Sequence, residues 1–213
     1  MLLILARHGN TFGPDDTPVW VGANEDLELV EKGLDQSRDI GRGLASAGII
    51  PDQIVAGPLK RTRVGAELAA ETSGYSGTID IDERLREIDY GVWGGQPDSV
   101  IAERWGEAAI TAWRDHSIVP AGAGWSPSVE TLQANARAVY DLATRDRSDD
   151  VAVLIVTSNG ILRYFHTLLA GPGADPLQAK VKTGHMGVAK ITARGPALKC
   201  WNVKPEAIKE ALL

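Results

Sequence analysis

Leu2-Leu3-Ile4-Leu5-Ala6-Arg7-His8-Gly9-Asn10-Thr11 decides the reading of this chain. Five apolar residues stop at a polar, glycine-containing turn, the pattern of a buried strand feeding a loop. In open α/β sheets, ligands bind just beyond the carboxyl ends of such strands. Arg7 offers a planar fork of donors that matches phosphate. His8 offers an imidazole nitrogen that can act as a nucleophile. In a continuing strand the two side chains would face opposite sides of the sheet, so they converge only if the strand ends here. Gly9 is expected to permit the turn and a close backbone approach to a ligand.

Outward from this point, short apolar runs alternate with helical patterns. Ile54–Ala56, Ile79–Ile81 and Val151–Val156 read as strands, the last fully buried and parallel. Residues 30–47, 59–72 and 160–170 read as helices, the first with Leu34, Ile40, Leu44 and Ala45 on its buried face. Ser126-Pro127 is expected to open a further helix, reaching Arg145. Gly187–Thr192 and Leu198–Val203 read as closing strands. This alternation predicts a three-layer α/β/α sandwich with a mostly parallel central sheet, as one domain over residues 1–213. Residues 88–127 interrupt the alternation and are expected to form an inserted helical lid that specifies substrate. Trp105, Trp113 and Trp125 fall in it and are expected mainly to pack it onto the domain.

The net charge of −6, with no basic cluster, argues against nucleic acid and anionic membranes as partners. An anionic substrate stays open, because a local arginine cluster can make a positive pocket in an acidic protein. Cys200 is the only cysteine, which points to a reducing, cytoplasmic compartment. The opening apolar run is too short for a signal-peptide core or a membrane span. No metal-ligand spacing is seen, and no cofactor is expected. The expected partner is a small phosphorylated molecule, with a homodimer left open.

Three further segments carry chemistry. Leu59-Lys60-Arg61-Thr62 opens a helix after Gly57-Pro58, and a helix N-terminus with an arginine attracts anions. Leu85-Arg86-Glu87-Ile88-Asp89-Tyr90-Gly91-Val92-Trp93-Gly94-Gly95 is a loop dense in carboxylates, aromatics and glycine. Val156-Thr157-Ser158-Asn159-Gly160-Ile161-Leu162-Arg163 is a strand, a small polar turn and a helix start.

Together with Arg7-His8-Gly9, these segments resemble the histidine phosphatase superfamily, also called the phosphoglycerate-mutase-like family. The resemblance implies that His8 is phosphorylated during turnover. It implies that Arg7 and Arg61 hold the phosphoryl oxygens, that Asn10 and Thr11 line the phosphate site, and that Glu87 protonates the leaving oxygen. Such a donor is needed because an alkoxide is a poor leaving group. The loop around Glu87 is similar to the phosphatase branch.

The resemblance fails at one position. Where the family has Ser-His-Gly-Gly, its histidine falls on Ser158 and a glycine on Asn159. Ser158, Asn159 and His185 are the candidates to replace it. Phosphate binding is expected to persist through backbone N–H groups at the helix start. The resemblance therefore implies a metal-independent phosphatase. The alternatives are a degenerate member that binds a phosphorylated ligand without turnover and, third, a phosphomutase.

Overall fold

The computed structural model describes residues 1–212; Leu213 lies outside the described residues. Its six strands are β1 (Leu2–Arg7), β2 (Gln53–Ala56), β3 (Ile79–Ile81), β4 (Ala152–Thr157), β5 (Met186–Thr192) and β6 (Gly195–Val203). They form one sheet in the order β3-β2-β4-β1-β5-β6. The pairs β3–β2, β2–β4 and β4–β1 are parallel, and β5 and β6 add an antiparallel edge. The sheet is thus mixed but mostly parallel, as the alternation of strands and helices predicts.

The central strands are buried on both faces, which is why they read as unbroken apolar runs. Along β1 and β4, Leu3, Leu5, Val153 and Ile155 face one core, and Ile4, Ala6, Leu154 and Val156 face the other. The second core is covered by α1 (Glu31–Ser46) and α2 (Lys60–Ser73). The first is covered by α5 (Val129–Thr144) and α6 (Asn159–Ala170). Between these groups lie α3 (Asp98–Trp105) and α4 (Glu107–His116), the helices of the expected insertion. Ile101, Ile110 and Trp113 anchor the insertion in the first core. Trp113 and Trp125 pack edge to face at 4.8 Å between ring centroids, and Trp105 meets Trp93 at 5.9 Å. A short α7 (Ile208–Ala211) follows. No helix among the described residues is long and apolar enough to cross a membrane.

Two local expectations are corrected. The helix expected from Ser126 starts at Val129, capped by Ser128, whose Oγ accepts from the Thr131 N–H at 3.3 Å. Ser126 is held instead by a backbone pair with Asp89, N–H to O at 2.9 and 3.0 Å. Ala45 is exposed; the buried face of α1 carries Gly33, Ser37, Ile40, Gly41, Gly43 and Leu44. Small residues bring the α1 backbone onto α2, so a pattern of large apolar side chains misplaces the face.

Gly9 has a further packing role. A Cβ built on Gly9 would lie 2.6 Å from Gly33 Cα, and one on Gly33 would lie 2.8 Å from Asn10 N. The two glycines let the loop after β1 press onto the first turn of α1, where the Val30 N–H donates to the Asn10 carbonyl at 3.1 Å. Gly9 therefore permits a close approach between two backbone segments of this chain. Gly33→Ala should destabilise the fold by about 2 kcal/mol or more, the range of core overpacking, as measured by chemical denaturation.

Candidate active site

Because β1, β2 and β4 run parallel, the loops that follow them share one end of the sheet. Arg7 stands beside Thr157 in the β1–β4 register. The ladder closes with the His8 N–H donating to the Thr157 carbonyl at 3.2 Å. Here a cavity of about 780 Å³ opens, with Arg7, His8, Arg61, Glu87 and Asn159 in its wall. Asn10 and Thr11 also line it.

His8 is 5% exposed. Its Nδ1 lies 2.7 Å from the Gly9 carbonyl oxygen. A carbonyl only accepts, so Nδ1 carries the proton. Burial first, then the charges of Arg61 and Arg7, hold the imidazole well below its usual titration range. The ring is therefore neutral, and its lone pair sits on Nε2. That is the nitrogen a nucleophilic histidine needs.

Both arginines are pinned by backbone carbonyls. Arg7 Nη1 donates to Val181 O at 2.8 Å. The buried Arg61 donates from Nη1 to Glu25 O at 2.9 Å and from Nη2 to Gly22 O at 2.7 Å. Neighbouring Lys60 is solvated and pairs with Glu28. Asn10 is fixed by its N–H to Gln36 Oε1 at 2.8 Å and by the Thr183 hydroxyl, which donates to Asn10 Oδ1.

Glu87 is 7% exposed and has no arginine partner in its own loop. Arg84 bonds Asp82 and Arg86 bonds Glu83. The carboxylate of Glu87 accepts instead from the Ile88 N–H at 2.9 Å and the Gly160 N–H at 3.2 Å. A Cβ on Gly160 would lie 3.1 Å from Glu87 Cδ, so a glycine makes room for the acid. This corrects one expectation: the α6 amide of Gly160 is occupied by Glu87 rather than open to an anion.

The three candidates for the missing histidine separate. Ser158 is 1% exposed, its Oγ has no partner, and it is absent from the cavity wall. His185 is also outside the wall; its Nδ1 lies 3.2 Å from Thr183 O, and its carbonyl accepts from the Arg7 N–H at 3.0 Å. Asn159 is on the wall.

Several wall residues were not expected. Arg163 lies one turn after Asn159 on α6 and donates to Ser117 Oγ at 2.8 Å and Arg114 O at 2.7 Å. Its i+4 spacing from Asn159 is the signal that places it on the same helix face. Tyr90, Arg114, Lys180, Trp20 and Trp113 join it. The wall thus carries five cationic side chains (Arg7, Arg61, Arg114, Arg163 and Lys180) against the carboxylates of Glu87 and Asp98. In a chain of net charge −6, this excess makes the cavity locally electropositive.

The model of the histidine phosphatase superfamily (branch 1) matches residues 3–204. The chain belongs to this superfamily. It is 36% identical over 171 residues to a 2,3-bisphosphoglycerate-dependent phosphoglycerate mutase of Methylorubrum extorquens, covering 80% of this chain and 79% of that protein. Its fold matches mycobacterial glucosyl-3-phosphoglycerate phosphatase with a TM-score of 0.78, at 23% identity, over 95% of this chain and 99% of that one. It also matches an Entamoeba histolytica phosphoserine phosphatase variant, with a TM-score of 0.72 at 19% identity, over 100% and 99% of the two chains.

Within this histidine phosphatase fold, burial of neutral His8 has a consequence for stability. A histidine whose titration is depressed by folding binds its proton more readily in the unfolded chain, so stability falls as pH drops through the unfolded value near 6.5. His166, also lowered by burial, adds in the same direction. Thermal unfolding of His8→Gln should therefore lose less stability between pH 7 and pH 5 than the wild type does.

Proposed function

We propose that this protein is a phosphatase that hydrolyses a small phosphomonoester through a phosphohistidine on His8. The observation that carries the reading is the neutral His8 ring, with its proton fixed on Nδ1 and its Nε2 lone pair free, in a wall that also holds Arg7, Arg61 and Glu87.

The steps follow from these groups. His8 Nε2 attacks phosphorus in line, forming an N–P bond as the bond to the alcohol oxygen breaks. Glu87, in its acid form, gives its proton to that oxygen. Arg7 and Arg61 neutralise the charge on the equatorial oxygens. A water then attacks phosphorus and gives its proton to the Glu87 carboxylate. The N–P bond breaks, and the lone pair returns to Nε2. One difficult displacement is thereby split into two easier ones.

A second reading, a phosphomutase, is favoured by the mutase that shares 36% identity with this chain. It uses the same intermediate but returns the phosphoryl group to product instead of water.

Turnover of p-nitrophenyl phosphate, measured without added metal, tests the first reading. His8→Ala should abolish it, and Glu87→Gln should lower kcat by about 10²–10⁴-fold, the usual weight of a general acid. Incubation with 3-phosphoglycerate separates the two readings. Release of inorganic phosphate supports the phosphatase, whereas conversion to 2-phosphoglycerate without phosphate release supports the mutase.

A further inference from the structure

The phosphatase reading leaves one donor unassigned, and the inference below rests on that reading. The superfamily pattern places a histidine at position 158, and here that position is a serine whose Oγ is buried and away from the cavity. The N–H of Gly160 is taken by Glu87. At the junction of β4 and α6, the side chain left on the cavity wall is that of Asn159.

Asn159 has the geometry for it. Its Oδ1 accepts from the Val181 N–H at 2.9 Å. Since a backbone N–H only donates, this bond fixes which end of the carboxamide is oxygen. The Nδ2 group is then turned away from Val181, has no hydrogen-bond partner among the described residues, and is not sealed from solvent. The residue lies on the cavity wall with Arg7, His8 and Arg61.

Val181 links the two sides of the arrangement. Its carbonyl accepts from Arg7 Nη1 at 2.8 Å, while its N–H holds Asn159. Val181 is itself fully buried. One rigid residue therefore orients both a guanidinium and a carboxamide on the same wall.

We propose that Asn159 is a catalytic residue, donating from Nδ2 to an equatorial phosphoryl oxygen in the role that the superfamily gives its second histidine. The replacement is neutral, so the positive charge at this site comes from the arginines and Lys180 of the wall. A preorganised amide of this kind is worth about 10²–10³ in rate where it has been removed from other enzymes.

Asn159→Asp is the informative variant. It keeps an acceptor for the Val181 N–H and exchanges the donor for an oxygen. Asn159→Gly, which supplies the residue expected from the superfamily, removes the side chain altogether and guards against misfolding of the first. Two readouts are taken for wild type and both variants: kcat on p-nitrophenyl phosphate, and the rise in thermal midpoint caused by inorganic phosphate.

The expected result is a fall in kcat of about 10²-fold or more in both variants, with the phosphate-induced rise lost in Asn159→Asp. Variants within threefold of wild-type kcat, with an undiminished response to phosphate, would overturn the role of Asn159 while leaving His8 chemistry in place. If wild type shows no hydrolysis, the phosphatase reading fails, and the phosphate response alone decides for Asn159. Its loss in Asn159→Asp then supports the donor, and its persistence overturns it. A wild type that neither hydrolyses the ester nor responds to phosphate overturns both.

Discussion

The constraint on which the rest depends is the parallel pairing of β1 with β4 at the centre of the sheet. Both strands are buried on both faces, so a shift of register would force each side chain into the close packing of the opposite core. The pairing ends at Arg7 and Thr157, and the His8 N–H closes it on the Thr157 carbonyl. Everything chemical is placed relative to that end. The loop after β1 carries His8, the turn after β4 carries Asn159 and Gly160, and Gly160 in turn seats Glu87. The Thr157 hydroxyl adds a bond to Leu85 O at 2.8 Å, tying the Glu87 loop to the same strand end.

Electrostatics then decide what the site can do. Arginines are costly to bury unless their donors are satisfied. Here backbone carbonyls of Gly22, Glu25 and Val181 take part of that capacity before any ligand arrives. The guanidinium groups are held in place, so little reorganisation remains when a phosphoryl group enters. Burial first, and then their charges, hold His8 in its unprotonated form. Under the proposed function, the same two residues attract the anion and help to prepare the nucleophile.

Much of this was legible in the residues themselves. A short apolar run ending in Arg7-His8 points to the end of the sheet where the cavity opens, because strand ends in this architecture are where ligands bind. Arg61 is readable from its place at a helix start, and Glu87 from the resemblance of its loop to the superfamily. What could not be read depends on geometry between distant segments. Gly9 and Gly33 are neighbours only in three dimensions. Ser158, His185 and Asn159 all stay open as candidates in the sequence, and the burial of the first, the placement of the second and the Val181 bond of the third separate them. Arg163 was masked by its position in an apolar helix, although its spacing from Asn159 put it on the cavity face. Ala45 was misplaced because glycine carries no apolar signal, yet glycines form the packed face of α1.

The central claim is covalent: the phosphoryl group passes through His8. Rapid quenching of the protein with a ³²P-labelled monoester, followed by peptide mapping, tests it most directly. The account predicts an acid-labile, base-stable label on the peptide containing His8 that forms no more slowly than turnover and is absent from His8→Ala. Turnover with no such label, or a label that persists in His8→Ala, would contradict it.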